Sequence, residues 1–248
     1  MSERRNAAVA VVGAGDFIGA AICERFAAEG YRVFGGRRNR DKLAPLAARI
    51  QAAGGRFEPR ALDARSEEAV AAFITEADAD QPIEVAIFNV GANVNFPIVE
   101  TTERVFRKVW EMACYAGFLT GREAARRLLA RGGGSIFFTG ATASVRGGKG
   151  YAAFASAKAG LRSLAQTMAR ELGPQNIHVA HLVIDAGVDT AFVRSRITAA
   201  RGEAALAELP PDTLMRPASI AEAYWRLHQQ TRDAWTFELD LRPFAEAW

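Results

Sequence analysis

Short apolar runs alternate with longer stretches of helical period along the whole 248-residue chain, and this alternation constrains the fold more than any other feature. The apolar runs occupy residues 7–12, 31–35, 56–62, 84–89, 135–139, 177–183 and 235–239. Between them, residues 18–29, 40–53, 66–77, 102–130, 151–172 and 219–230 repeat apolar side chains at helical spacing. Runs of this length suit strands buried on both faces of a parallel sheet, and the helical segments between them suit the crossovers that parallel pairing requires. The pattern predicts an α/β protein with a doubly wound, seven-stranded parallel sheet between two helical layers. Ser66, followed by Glu67 and Glu68, reads as a helix start, and Gly30 and Gly54 read as helix stops.

No Ser/Gly linker, low-complexity tract or internal repeat divides the sequence, so residues 1–248 are expected to form one domain. Residues 189–216 are unusually long for a connection in such a domain and contain Pro210-Pro211. A segment of that length is expected to hold helices of its own or to cover a site, and we read it as a substrate lid.

Composition excludes several classes. Half the residues are hydrophobic and 24% are charged, which rules out a disordered or collagen-like chain. The 31 basic and 28 acidic residues leave a net charge of only +3. The 27 arginines are interspersed with Asp and Glu and form no basic, aromatic-rich stripe, so no nucleic-acid partner is expected. No apolar run reaches the 18 or so residues needed to span a bilayer. The first twelve residues resemble the start of a signal peptide, but the apolar run is short and breaks into Gly13-Ala14-Gly15-Asp16 without a convincing cleavage site. Cys23 and Cys114 show no CxxC spacing and suit a reducing compartment, which predicts a cytoplasmic protein. His178 and His181 lie three apart in a predicted strand and would face opposite sides, so no metal site is expected.

The first strand runs into Gly13-Ala14-Gly15-Asp16-Phe17-Ile18-Gly19, which opens directly into a helix. An ordinary tight turn would also use glycine. The strand-turn-helix context favours a dinucleotide site, where backbone N–H groups and the helix dipole meet a pyrophosphate. Arg37 and Arg38 follow Gly35-Gly36 at the end of the second strand, where such folds read the adenosine ribose. Arginines there suit a 2′-phosphate and favour NADP(H) over NAD(H), although a solvated Arg pair at a helix entrance has the same sequence. Asp16 weighs against this reading, because it brings negative charge to the phosphate loop. In the helix over 151–172, one stripe holds Tyr151, Phe154, Leu161, Ala165, Met168, Leu172 and Lys158. Only four residues of the chain are lysines, and this one sits mid-stripe, where an uncompensated ammonium is costly unless it snorkels at the edge.

In chain order these features resemble the short-chain dehydrogenase/reductase family, over almost the whole sequence. The resemblance implies a Rossmann-type three-layer sandwich and an NADP(H)-dependent oxidoreductase acting on the carbonyl or alcohol group of a small molecule. Gly13 and Gly19 match two of the three glycines of the family's turn, while Val12 replaces its Thr and Phe17 its middle glycine. Asp63 matches the family's adenine-contacting Asp, and Asn89-Val90-Gly91-Ala92 its Asn-Ala-Gly motif. Gly15 and Ile18 complete the expected cofactor loop, and Lys158 matches the motif Lys that holds the nicotinamide ribose.

The departures lie in the catalytic set. Phe154 stands where the family's proton-donating Tyr is expected, Ala141 where its Ser is, and Cys114 where its helix Asn is. The family's Pro-Gly becomes Ala186-Gly187. A shifted relay of Tyr151, Thr142 and Lys158 is the expected replacement, with Ser144 as an alternative to Thr142. The competing expectation is a catalytically impaired NADP(H)-binding protein with a sensing or oligomeric scaffold role. The family's habit of pairing through its long helices implies a homodimer or homotetramer that uses residues 102–130 and 151–172.

Overall fold

The computed structural model describes residues 3–246, and each of the seven apolar runs contributes a strand. In chain order they are β1 (Ala8–Val12), β2 (Arg32–Arg37), β3 (Arg56–Ala61), β4 (Ile83–Phe88), β5 (Gly134–Thr139), β6 (Ile177–Ile184) and β7 (Glu238–Leu241). All pairings are parallel, in the order β3-β2-β1-β4-β5-β6-β7. Most expected strand ends hold to within one residue, and the larger shifts fall in β2 and β7. β2 continues through Gly36 to Arg37, so Arg37 is the last residue of the strand rather than part of the loop after it. β7 runs from Glu238 to Leu241 instead of 235–239, after a short 3-10 turn at 232–234 and a Thr236 N–H that donates to the Gln230 side chain at 2.8 Å.

The helices are α1 (Ile18–Ala28), α2 (Ala44–Ala52), α3 (Glu67–Asp80), α4 (Glu103–Trp110), α5 (Ala116–Arg131) and α6 (Ala152–Leu172). After β6 come α7 (Ala191–Arg201), α8 (Glu203–Ala207) and α9 (Pro217–His228). Ser66 caps α3, its hydroxyl accepting from the Ala69 N–H at 3.2 Å, as its sequence context predicts. The helix expected over 102–130 is interrupted by a π turn at Glu111–Tyr115, which separates α4 from α5. Such one-residue insertions concentrate at functional sites, and this one contains Cys114.

β1 shows how the sheet fills both layers. Val9 and Val11 pack with Ile22 of α1 and Tyr224 of α9. Ala8, Ala10 and Val12 face the other way and pack with Val70 of α3, Leu119 of α5 and Leu161 of α6. The period of two sends alternate residues to opposite faces, and all five are buried. His178 and His181 divide in the same way. His178 stacks on Trp235, with ring centroids 5.0 Å apart, while His181 Nδ1 lies 3.2 Å from Glu238, which is itself bound by Arg162 of α6. Among the described residues no cluster of three or more metal-binding side chains forms. No described helix is long and apolar enough to cross a membrane.

β1 has β2 on one side and β4 on the other, so successive crossovers leave it in opposite directions. A crevice opens at the carboxyl ends of strands where the winding reverses, and this places the site.

Candidate functional site

Two cavities meet above the ends of β1 and β4. The larger, about 790 Å³, reaches from Gly13 past Asn89, Thr139 and Lys158 to Phe192. The smaller, about 550 Å³, reaches from Gly13 past Arg37, Arg38 and Asp63 to Met112. Gly13, Gly15, Asn89, Val90 and Gly91 wall both.

The glycine turn is shaped by close backbone approach. Gly13 has φ +95°, and a Cβ there would lie 2.6 Å from the Asn89 carbonyl oxygen. A Cβ at Gly19 would lie 2.3 Å from the Gly13 carbonyl oxygen. By contrast, a Cβ at Gly15 or Gly91 would meet no other atom within 4 Å, so both leave backbone open to the cavities. No side chain caps α1 at Phe17, and its first turn carries no acidic residue. Free amides and the positive end of the helix dipole therefore lie beside Phe17, Ile18 and Gly19, all of which line the larger cavity.

Asn89 ties this turn to the sheet. Its Nδ2 donates to the Gly13 carbonyl at 3.0 Å, and its Oδ1 accepts from Thr139 Oγ1 at 3.0 Å. Thr139 in turn shares a 2.6 Å hydrogen bond with the buried Tyr224 hydroxyl.

Lys158 is 3% exposed and lies in the wall of the larger cavity. Its ammonium donates to the carbonyls of Thr139 at 2.7 Å and Val90 at 3.2 Å. Two carbonyls compensate two of its three donors, so it does not snorkel. Burial draws its pKa down to about 8, partly offset by interaction with the nearby Cys114 thiol, whose own pKa burial pushes up. The Phe154 ring centroid lies 5.9 Å from Lys158 Nζ, in the same cavity.

In the smaller cavity the two arginines separate. Arg37 Nη1 donates to Asp16 Oδ1 at 2.6 Å and contacts the Lys42 carbonyl at 3.4 Å, so Asp16 and Arg37 largely neutralise each other. Arg38 is exposed, and no hydrogen bond within the described residues holds its guanidinium. Asp63 lines the same cavity, but Arg65 grips its carboxylate through Nε at 2.9 Å and Nη2 at 2.6 Å. The Arg65 hydrogen bonds hold the Asp63 carboxyl below its usual range.

The expected relay residues line one cavity without touching. Tyr151 precedes α6 and Thr142 opens the short turn after β5. No hydrogen bond joins Tyr151, Thr142 and Lys158. Thr142 donates to Asp185 Oδ1 at 2.5 Å. Asp185 is 2% exposed; burial pushes its carboxyl pKa up, but hydrogen bonds from Thr142 and Arg242 and the nearby Arg146 charge bring it net below the usual range. The carboxylate is thus an acceptor, and Thr142 presents lone pairs rather than a proton to the cavity. Ser144 is buried and accepts from the Ala141 N–H at 3.1 Å, and it does not line the cavity. Arg146 and Asp185 are functional candidates that sequence reasoning missed. The one available signal was an acidic residue, Asp185, directly after β6.

Residues 189–216 hold α7 and α8, and Thr190 and Phe192 reach the larger cavity. Their base is pinned by a bridge between Val188 and Met215, with Asp189 N–H donating to the Met215 carbonyl and Met215 N–H to that of Gly187, both at 2.9 Å.

The family model for short chain dehydrogenases matches residues 7–201. The chain belongs to that family. Among solved structures of the family, a short-chain dehydrogenase from Rhodopseudomonas palustris is 61% identical, with a TM-score of 0.83 over 97% of this chain and 100% of that one. The uncharacterized oxidoreductase YuxG of Bacillus subtilis is 34% identical over 186 residues, 73% of this chain but only 27% of YuxG, so the chain spans about a quarter of that relative. The 3-oxoacyl-[acyl-carrier-protein] reductase MabA of Mycobacterium bovis is 28% identical over 213 residues, covering 86% of this chain and 81% of the relative.

Proposed function

We propose that this short-chain dehydrogenase family member is an NADP(H)-dependent oxidoreductase that interconverts a carbonyl and an alcohol. The observation that carries the reading is Lys158, a buried ammonium held by two carbonyls at the wall of a cavity that begins at an uncapped helix N-terminus. Perturbed, buried cations in clefts concentrate at functional sites, and among the described residues this one has no carboxylate partner to make it a structural ion pair. The paired cavities and the open backbone at Gly15 and Gly91 fit an extended dinucleotide. In this reading the Gly13–Gly19 turn, including Phe17 and Ile18, holds the pyrophosphate, and Lys158 the nicotinamide ribose. Arg38 meets the 2′-phosphate, while Asp63, Asn89 and Gly91 border the adenosine side. The bound cofactor supplies a hydride.

The chain's residues handle the proton. Tyr151 is the donor in the substrate half of the cavity, because Phe154 has no exchangeable proton and Thr142 gives its own to Asp185. Thr142 accepts a hydrogen bond from Tyr151 or from a substrate hydroxyl. Residues 189–216 act as the lid, through Phe192 and Thr190. The chain assembles as a homodimer or homotetramer through α4, α5 and α6, where Phe106, Trp110 and Phe118 are partly exposed and Trp110, Tyr115 and Phe118 form a stacked series. Light scattering that returned a monomer would contradict that assembly.

The test is one series of titrations. NADPH and NADH binding are measured by fluorescence, followed by turnover of a carbonyl panel for the natural protein, Tyr151→Phe and Phe154→Tyr. Tighter NADH than NADPH binding would overturn the role given to Arg38. The Phe154 ring beside Lys158 favours a second reading, an NADP(H)-binding protein without turnover that acts as a sensor or scaffold. Steady NADPH oxidation with any carbonyl excludes it.

A further inference from the structure

Three ionised side chains line the larger cavity: Asp16, Lys158 and Arg146. Asp16 is paired with Arg37 on the cofactor side, and Lys158 is held by two carbonyls. Arg146 is different. It lies in the substrate half, beside Thr142 and Tyr151, with its side chain 53% exposed, and its one hydrogen bond within the described residues runs from Nη2 to Asp185 Oδ1 at 3.3 Å.

That bond is the longest of those made to Asp185. Arg242 forks its Oδ2 through Nε at 2.9 Å and Nη2 at 2.8 Å, and Thr142 donates to its Oδ1. Arg242 is itself shared with Asp240 through Nη2 at 2.6 Å, so two arginines and two carboxylates balance as a group, and Arg146, the most exposed of the four, is held at one corner only. Nε and Nη1 of Arg146 remain for a planar anion, the geometry that guanidinium forks favour. The walls nearby are apolar, from Phe154, Ile184, Val188 and Phe192.

We propose that Arg146 anchors a carboxylate on the substrate, which makes the substrate class an oxo or hydroxy acid with an apolar body. The assignment rests on the oxidoreductase reading for its carbonyl, but the anion anchor is testable without turnover because Asp185 holds it from within the protein.

The experiment titrates hexanoate and hexanamide into the free and the cofactor-saturated protein by calorimetry, for the natural chain, Arg146→Gln and Arg146→Lys. The expected result is hexanoate binding about tenfold tighter than hexanamide, roughly 1.4 kcal/mol. The preference disappears in Arg146→Gln and is partly kept in Arg146→Lys, which retains the charge without the fork. Equal affinities, a preference that survives Arg146→Gln, or no binding of either probe overturns the proposal. The same proteins are assayed on oxo acids and their amides. Turnover without preference for the acids removes the anchor and leaves the oxidoreductase reading standing. Binding of hexanoate through Arg146 without turnover of any carbonyl keeps the anchor and removes that reading.

Discussion

The sides of the cleft proposed for the cofactor and for the substrate are built from different material. On the cofactor side, the close contacts are made by backbone: the Gly13 turn against Asn89, the open amides at the start of α1, and the two carbonyls on Lys158. On the substrate side, the contacts are side-chain pairs drawn from distant parts of the chain, Thr142 and Arg146 with Asp185 and Arg242. A backbone-built cradle tolerates many changes of side chain, provided the glycines stay. A side-chain network changes its chemistry with each substitution. This contrast parallels the resemblance read from the sequence, in which Gly13, Gly19 and Lys158 match the family pattern while Phe17, Phe154, Ala141 and Cys114 depart from it.

The contrast is sharpened first by Tyr151→Phe. If the substrate half keeps its own proton donor, turnover on an established substrate falls about 10²–10⁴-fold while cofactor affinity is unchanged. An unchanged rate would end the Tyr151 assignment. Lys158→Met acts on the other half. It removes charge-assisted hydrogen bonds worth about 1.5–3 kcal/mol each, so cofactor affinity falls roughly 10- to 150-fold in a fluorescence titration.

Arg38→Ala has a smaller effect because the side chain is exposed. NADPH affinity drops about three- to tenfold with NADH affinity unmoved, and an equal loss for both would place Arg38 away from the 2′-phosphate. The smallest effect is in pH. Lys158 loses its proton in the folded protein near pH 8, whereas the unfolded chain holds it to about 10.5. Cofactor affinity is therefore expected to fall several-fold between about pH 7 and pH 9 as the ammonium is lost. Stability moves the opposite way, since the unfolded state binds more protons between the two pKa values and the natural protein gains relative to Lys158→Met as pH rises through that window. Parallel trends in the two measurements would show that another group titrates.

Much of the fold was legible because strands buried on both faces leave near-continuous apolar runs, as at residues 8–12 and, His178 and His181 aside, 177–184. β7 was misplaced because it is a sheet edge with Glu238 and Asp240 in a four-residue strand. The π turn left no mark, since one extra residue within 102–130 barely shifts the helical period. In the site, the glycine turn and Lys158 were readable as local patterns. The pairing of Arg37 was not, because its partner Asp16 lies 21 positions earlier and a contact between separate segments is invisible in a linear string. Asp185 stayed hidden for the same reason, with Thr142 43 positions away.

The bridge from Val188 to Met215 has a consequence for descent as well as for shape. It fastens both ends of the α7–α8 segment to each other, so the strands below do not register how much chain lies between. Doubling such a loop costs only about 0.6 kcal/mol in closure entropy. Lineages can lengthen, shorten or rewrite this segment while the sheet is inherited intact, and diet can change faster than architecture.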